Sequence, residues 1–387
     1  MAARPLAERA GLDRNVLRIA AVVTTGAIMS ILDATIVNIA LESISSELHA
    51  SLNTVQWAIT GYLLALATVI PLAGWLSERF ETKRVWMTSV AVFVTGSVLS
   101  GLSWSAGILI VFRVLQGIGG GLIMPVGITV LTQAAGPRRV GRVMSVIGVP
   151  MLLGPVLGPV LGGVIIDNIS WRWIFYVNVP VGALALVLAW RLLPSETSGE
   201  AGRLDWRGFL LASPGVALLT FGLSESSSAG GFGALSSWAP MAAGVLLLAL
   251  FVIHGRRADN PLIDLRLFAE PGFASAAATV AVVGAALFGA LILLPLFFQV
   301  ARGENVLDAG LLLTPQGVGA AMMMPLAGSV TDRIGGGRVA VAGLVLICLG
   351  TVPFVLVSAG TSLWWLEGGL VVRGLGLGAT MMPAMSA

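Results

Sequence analysis

The sequence predicts an all-α, polytopic membrane protein with about twelve spanning helices. Three observations predict it. The 387 residues are 57% hydrophobic and only 11% charged, with a mean hydropathy of +0.94, whereas soluble domains carry about 25% charged residues. The apolar residues come in long runs without period-two alternation, which indicates helices and not a barrel. Positive charge is one-sided between those runs, as the bilayer demands. The same composition excludes other classes. The single cysteine, Cys348, falls in a predicted span, so neither a disulfide framework nor a Cys-rich metal site is expected. His49 and His254 fall in separate loops, which argues against zinc or haem. The net charge of +3 does not indicate nucleic acid, because the basic residues sort by membrane side. Met1 to Arg18 is polar and the first apolar run is long enough to span, so no cleavable leader is expected.

In chain order the apolar runs lie near 17–41, 52–76, 85–105, 106–131, 143–166, 173–193, 208–224, 237–253, 273–298, 307–330, 339–359 and 363–385. The seventh and eighth are the shortest. With the N-terminus cytoplasmic, the inner segments hold 18 of the 22 lysines and arginines. They include Arg14 and Arg18, then Arg79, Lys83 and Arg84, then Arg138, Arg139 and Arg142, and later Arg256, Arg257 and Arg266. Outer loops carry Glu42, Glu47, Asp167, Glu225, Glu304 and Asp308 instead. Two longer cytoplasmic segments flank spans seven and eight. The expected organisation is an N-terminal six-helix bundle over 1–193, an inserted two-helix region over 194–272, and a second bundle of four helices over 273–387.

An internal repeat supports two bundles. Gly74, Glu78, Arg79 and Arg84 recur at the same spacing as Gly328, Asp332, Arg333 and Arg338, each set leaving the cytoplasmic end of a span. A looser echo pairs Arg113, Gly117, Gly119 and Pro125 with Arg373, Gly376, Gly378 and Pro383. One reading of the duplicated loop is the positive-inside pattern alone. The other is a salt-bridge latch formed by Gly74, Glu78, Arg79, Lys83, Arg84, Asp332, Arg333 and Arg338, broken and remade as the halves rock.

Asp33, in SILDATIVNIAL, is the carboxylate placed well inside a span. A bare charge there costs several kcal/mol, so an intramembrane ionisable residue is a functional candidate. At 1.5 Å per residue it lies roughly 12 Å below the outer surface, and Arg113 in span four roughly 10 Å below it. At similar depth the two can meet. Burial disfavours the charged carboxylate and a guanidinium favours it, so alternating between those settings would bind and release a proton. The alternative is a structural cluster of Asp33, Thr35 and Asn38 bonding between helices. Arg113 stays charged; its roles are to tune a partner or hold a carbonyl, with Gln116 one turn away. The RVLQGIGGG run follows no strand, which rules out a phosphate cradle.

Span five contains GVPMLLGPVLGPVLGG, with Gly154, Gly158 and Gly162 four residues apart, Pro155 and Pro159 beside them, and Gly148 and Gly163 at the ends. In a membrane, neighbouring helices satisfy the groups that prolines free, and a glycine ladder admits a close neighbour. It reads either as a packing seam or as a kinked contact between bundles. Asn38, Trp57, Tyr62, Gln116, Gln316 and Arg373 are candidates for a central cavity. Trp86, Trp104, Trp171, Trp173, Trp364 and Trp365 are assigned to interfacial belts. Met322 to Met324 and Met381 to Met382 are soft surfaces suited to varied ligands or to core packing.

LDATIVNIAL, GWLSERFETKR, RVLQGIGGG and the span-five stretch resemble the major facilitator superfamily, in its fourteen-span drug:proton antiporter branch. DWRG at Asp205–Gly208, PLIDLRLF at Pro261–Phe268 and LTPQGVGAAMMMPLAGSVTDRIGG resemble the same branch. The resemblance implies alternating access by two six-helix bundles, proton antiport and no cofactor beyond the proton gradient. It implies amphipathic, often cationic, small-molecule substrates and a monomer in the bacterial inner membrane. Asp33 matches the family's first-span acid, Arg113 its proton-transfer arginine, and the glycine–proline stretch its antiporter motif. Glu78 stands where the family has aspartate and Glu81 where it has glycine. The chain ends in its twelfth span, so the second bundle is expected to lack two helices. Within the same fold the alternatives are an exporter of one metabolite or lipid and a transport-inactive remnant; an enzyme is not expected.

Overall fold

The computed structural model describes residues 14–136, 158, 161–195, 202–228, 231–304, 306–357 and 361–386. Among these it is helical throughout, without strands. The first bundle comprises α1 (Arg14–Glu47), α2 (Leu52–Arg79, with one 3-10 turn at Ile70–Leu72), α3 (Thr82–Gly101), α4 (Ala106–Ala135), α5 (161–168) and α6 (Trp173–Leu192). The inserted pair is α7 (Trp206–Ser228) and α8 (Leu235–Gly255). The second half holds α9 (Pro271–Leu296), α10 (Thr314–Ile334), α11 (Gly336–Val355) and α12 (Leu363–Ser386), with a π-helical turn at Phe297–Ala301 and a short helix Val306–Leu312 leading into α10. Spans seven and eight, the shortest runs in the sequence, emerge as full helices. Seven of the described helices are long and apolar enough to cross a bilayer.

Local chemistry sets the boundaries. Ser51 accepts from the Thr54 N–H and caps α2, and Ser105 accepts from the Ile108 N–H and caps α4. Gly335 stops α10 at a φ of +87°, a backbone that L side chains resist. Its counterpart in the duplicated loop is Glu81, at a φ of −56°. The family's glycine is dispensable there because that turn is not left-handed, and Glu81 pairs with Arg84 at 2.8 Å.

Two apolar clusters fill the first bundle. One joins Val16 to Met29 with Trp86, Phe93, Ile123 and Ala189. The other joins Ile36 to Ile44 with Val55, Leu109, Trp171 and Phe175. Glycines bring α4 against its neighbours: Gly117 lies on the Tyr62 carbonyl, Gly119 on the Phe93 amide, and Gly96 of α3 on the Gln116 backbone. The second half repeats this lattice, with Gly374 on the Gln316 carbonyl, Gly376 on the Ile347 amide and Gly350 on the Arg373 backbone.

That equivalence corrects the looser echo. Gly117, Gly119 and Gly121 stand where Gly374, Gly376 and Gly378 stand, so Arg373 occupies the place of Gln116 and Leu370 that of Arg113. Two tryptophans are also reassigned. Trp86 is fully buried against Gly26 and Gly127, and Trp171 is 2% exposed, whereas Trp104, Trp173, Trp364 and Trp365 are exposed as belts require.

Candidate functional site

Between the two apolar clusters of the first bundle lies a thin polar layer. Asp33 of α1 is 1% exposed and Arg113 of α4 is fully buried, and their side chains meet at 2.6 Å. The second carboxylate oxygen accepts from Gln116 Nε2 at 2.8 Å and Asn178 Nδ2 at 3.0 Å. Asn178, on α6, also donates to Ser97 Oγ, whose hydroxyl in turn donates to the Phe175 carbonyl at 2.9 Å. Arg113 Nε donates to the Ala58 carbonyl and Nη1 to Gln116 Oε1. Its guanidinium lies 4.2 Å from the centre of the Tyr62 ring and 5.6 Å from that of Phe175. Tyr62 reaches Ser30 across 3.4 Å.

This arrangement solves a desolvation problem. A buried ion pair stands only when geometry and additional hydrogen bonds satisfy both charges. Here the carboxylate has three donors, and the guanidinium has an amide oxygen, a carbonyl and two aromatic faces besides the carboxylate. The guanidinium therefore keeps partners when the carboxyl is neutral, which makes an exchangeable proton chemically possible at Asp33.

The sequence paired Asp33 with Arg113 by depth and placed Gln116 beside them, and the structure brings all three together. Asn178 and Ser97 were missed. A polar residue six positions into an apolar run was the available signal, but neither residue is ionisable. The cluster of Asp33, Thr35 and Asn38 does not form: Thr35 donates to Ile31 and Leu32 and Asn38 to Ala34, all on their own helix. Asn38 is exposed. Trp57 leaves the centre as well, packing on Phe221 of α7 with ring centres 5.5 Å apart. Tyr62, in contrast, is buried beneath Arg113.

In the second half, Arg373 Nη1 donates to Gln316 Oε1 at 2.6 Å and Nη2 to the Ala286 carbonyl at 2.8 Å. Arg373 and Gln316 are 4% and 6% exposed. No carboxylate faces Arg373 among the described residues. Met322 lines an apolar groove of about 450 Å³ with Leu311, Pro315, Val318 and Val371, while Met324 is core.

Of the span-five motif, Gly148, Gly154, Pro155 and Pro159 lie outside the described residues. Gly158 and Gly162 pack on α1 at Thr35 and Ile36, within a turn of Asp33, and Gly163 faces open space. The described part of the ladder thus lies against the first helix of its own bundle. In the Gly74–Arg84 loop, Lys83 donates to the Trp190 and Leu193 carbonyls at 2.8 and 2.9 Å, capping the end of α6. Glu78, Arg79 and Arg338 are exposed, a Cβ at Gly74 would meet nothing within 4 Å, and the side chains of Asp332 and Arg333 are outside the described set.

The major facilitator superfamily model matches residues 23–387. The chain belongs to that superfamily. It is therefore a membrane transporter and not an enzyme. This superfamily member is 42% identical over 379 residues to the multidrug resistance protein B homolog of Mycobacterium tuberculosis, covering 97% of the chain and 70% of the relative. It is 32% identical over 345 residues to the putative multidrug resistance protein MdtD of Pectobacterium atrosepticum, covering 89% and 73%. The fold matches the proton:xylose symporter XylE with a TM-score of 0.64 at 16% identity, over 96% of this chain and 81% of that one. It matches the human organic anion transporter MFSD10 with a TM-score of 0.57 at 20% identity, over 96% and 85%.

Proposed function

We propose that this superfamily member exports amphipathic, often cationic, compounds by alternating access, in exchange for protons. The observation that carries this reading is the Asp33–Arg113 pair in its polar layer, buried between two apolar clusters. Arriving from outside, a proton neutralises the Asp33 carboxylate and releases Arg113 onto Gln116 and the Ala58 carbonyl. Loss of the proton to the inside restores the ion pair. The drug-resistance names of the relatives support the substrate class, and the apolar groove beside Met322 offers a surface suited to a substrate's apolar part.

The working units are the bundle over 1–193, the inserted region over 194–272 and the second bundle over 273–387. The protein sits as a monomer in the bacterial inner membrane with its N-terminus cytoplasmic, as the lysine and arginine bias supports. The latch reading narrows: Lys83 stitches the first bundle internally, which leaves Glu78 and Arg79 to meet the moving half.

Replacing Asp33 by Asn should abolish efflux driven by a pH gradient in everted vesicles while the protein remains in the membrane. Because removing one partner of a buried ion pair costs about 3–5 kcal/mol, Asp33→Glu serves as the companion variant and should retain part of the flux. Undiminished efflux from Asp33→Asn would sink the assignment.

A further inference from the structure

We propose that the cleft between α2 and α7 binds the head group of a small organic ammonium ion, at a site separate from Asp33. The cleft lies at the Ser51 end of α2, away from the basic loop, and encloses about 110 Å³. Its α2 wall is built from Asn53, Gln56, Trp57 and Thr60. That spacing of i, i+3, i+4 and i+7 puts all four on one helix face. Phe221, Ser224 and Glu225 of α7, with Phe221 and Glu225 one turn apart, form the facing wall.

Three features define the ligand. The Trp57 and Phe221 rings pack on each other, tilted by 32° with centres 5.5 Å apart, and both line the cleft. Glu225 is half-buried and has no hydrogen bond or ion pair among the described residues, and no lysine or arginine lines the cleft. An unpaired carboxylate in a cleft lined by two aromatic rings fits a soft alkylammonium, whose attraction to aromatic rings strengthens as water is removed. A hard divalent cation needs six or more oxygens and would reject the aromatic walls. A cleft of about 110 Å³ has room for a small ammonium head group carrying methyl groups.

The opposite face of α2 carries Ala58 and Tyr62, which contact Arg113. The cleft is therefore a second site on the back of the helix that supports the polar layer. Binding there can be read without transport, so the proposal stands or falls independently of proton-coupled export.

The test is equilibrium binding of radiolabelled tetramethylammonium to the 387-residue chain in phosphatidylglycerol nanodiscs. Saturable binding is expected, weakened tenfold or more by Glu225→Gln and by Trp57→Leu, with each variant eluting as the wild type does. Repeating it in phosphatidylcholine nanodiscs separates two sources of the same chemistry. Loss of the added cation's binding there assigns the site to a lipid head group, and unchanged binding assigns it to a free cation. No saturable binding by the wild type would overturn the proposal. So would wild-type affinity in Glu225→Gln, even if Trp57→Leu is weak, because the carboxylate would then be idle.

Discussion

Asp33 accepts from three donors on two helices, and the least conspicuous of them links the layer to the bundle's frame. Asn178 connects the carboxylate to Ser97 and so ties α1 to α3 through α6. Replacing Asn178 with Leu removes one donor from a buried carboxylate, a loss of about 1–3 kcal/mol, and leaves the Ser97 hydroxyl bonded to the Phe175 carbonyl alone. Proton-driven efflux should fall at least tenfold while the amount of protein in the membrane is unchanged; full activity would show that Arg113 and Gln116 suffice. This residue also marks where the sequence stops being legible. Asp33 and Arg113 announced themselves because charge in an apolar span is rare. Asn178 and Ser97 carry no charge, and only the folded chain shows which face of α6 or α3 looks inward. Asn38 gave the opposite error, a polar residue near Asp33 that satisfies itself on its own helix.

Among the elements, polar contacts join the helices at their ends as well as in the middle. Lys83 caps α6, worth about 0.3–1 kcal/mol at a helix C-terminus. At the other end of the bundle, Glu47 of α1 accepts from Trp171 and Arg172, and Arg172 also donates to the Ser103 carbonyl after α3. The span-five ladder adds a middle contact, because a Cβ at Gly158 would collide with the Thr35 side chain. Gly158→Leu should push α1 aside beneath Asp33 and reduce coupled efflux at least tenfold, with monodisperse elution retained. Gly163→Leu, pointing into open space, should leave flux near the wild-type level. Equal losses in both would return the ladder to simple packing. Spacing in the sequence showed that a helix could approach there, but not which one, and the structure names α1.

The inserted pair is held to the first bundle by α2. Ser213 donates to the Thr68 carbonyl and Trp75 to the Gly202 carbonyl. The end where α7 begins and α8 finishes is closed by Asp205, which accepts from the Gly208 and Leu262 N–H groups and meets His254 Nε2 at 2.8 Å. Burial raises the Asp205 pKa, but the Gly208 N–H, the His254 side chain and the Leu262 N–H together outweigh it and hold the carboxyl below its ordinary value. A lowered carboxyl pKa contributes stability that is complete above the unfolded value, about 3.9, and is lost as pH falls through the folded one. Protection of the Gly208 and Leu262 amides from hydrogen exchange, corrected for intrinsic rate, should therefore lose the Asp205 contribution only as pH falls below about 4. In Asp205→Ala both amides should exchange at least several-fold faster; unaltered protection would remove Asp205 from the clasp.

At this scale most of the architecture was legible, since twelve apolar runs and a one-sided charge pattern leave few alternatives. What was not legible was the register between the halves. Arg373 resembled Arg113 by name, and only the glycine contacts reveal that it replaces Gln116. The same lattice thus holds a carboxylate–guanidinium pair in one copy and, among the described residues, a guanidinium without a carboxylate partner in the other. Arginine stays protonated at any physiological pH. The duplicated scaffold is electrically unequal at this position: a proton on Asp33 would turn a neutral pair positive, whereas Arg373 carries its charge without one.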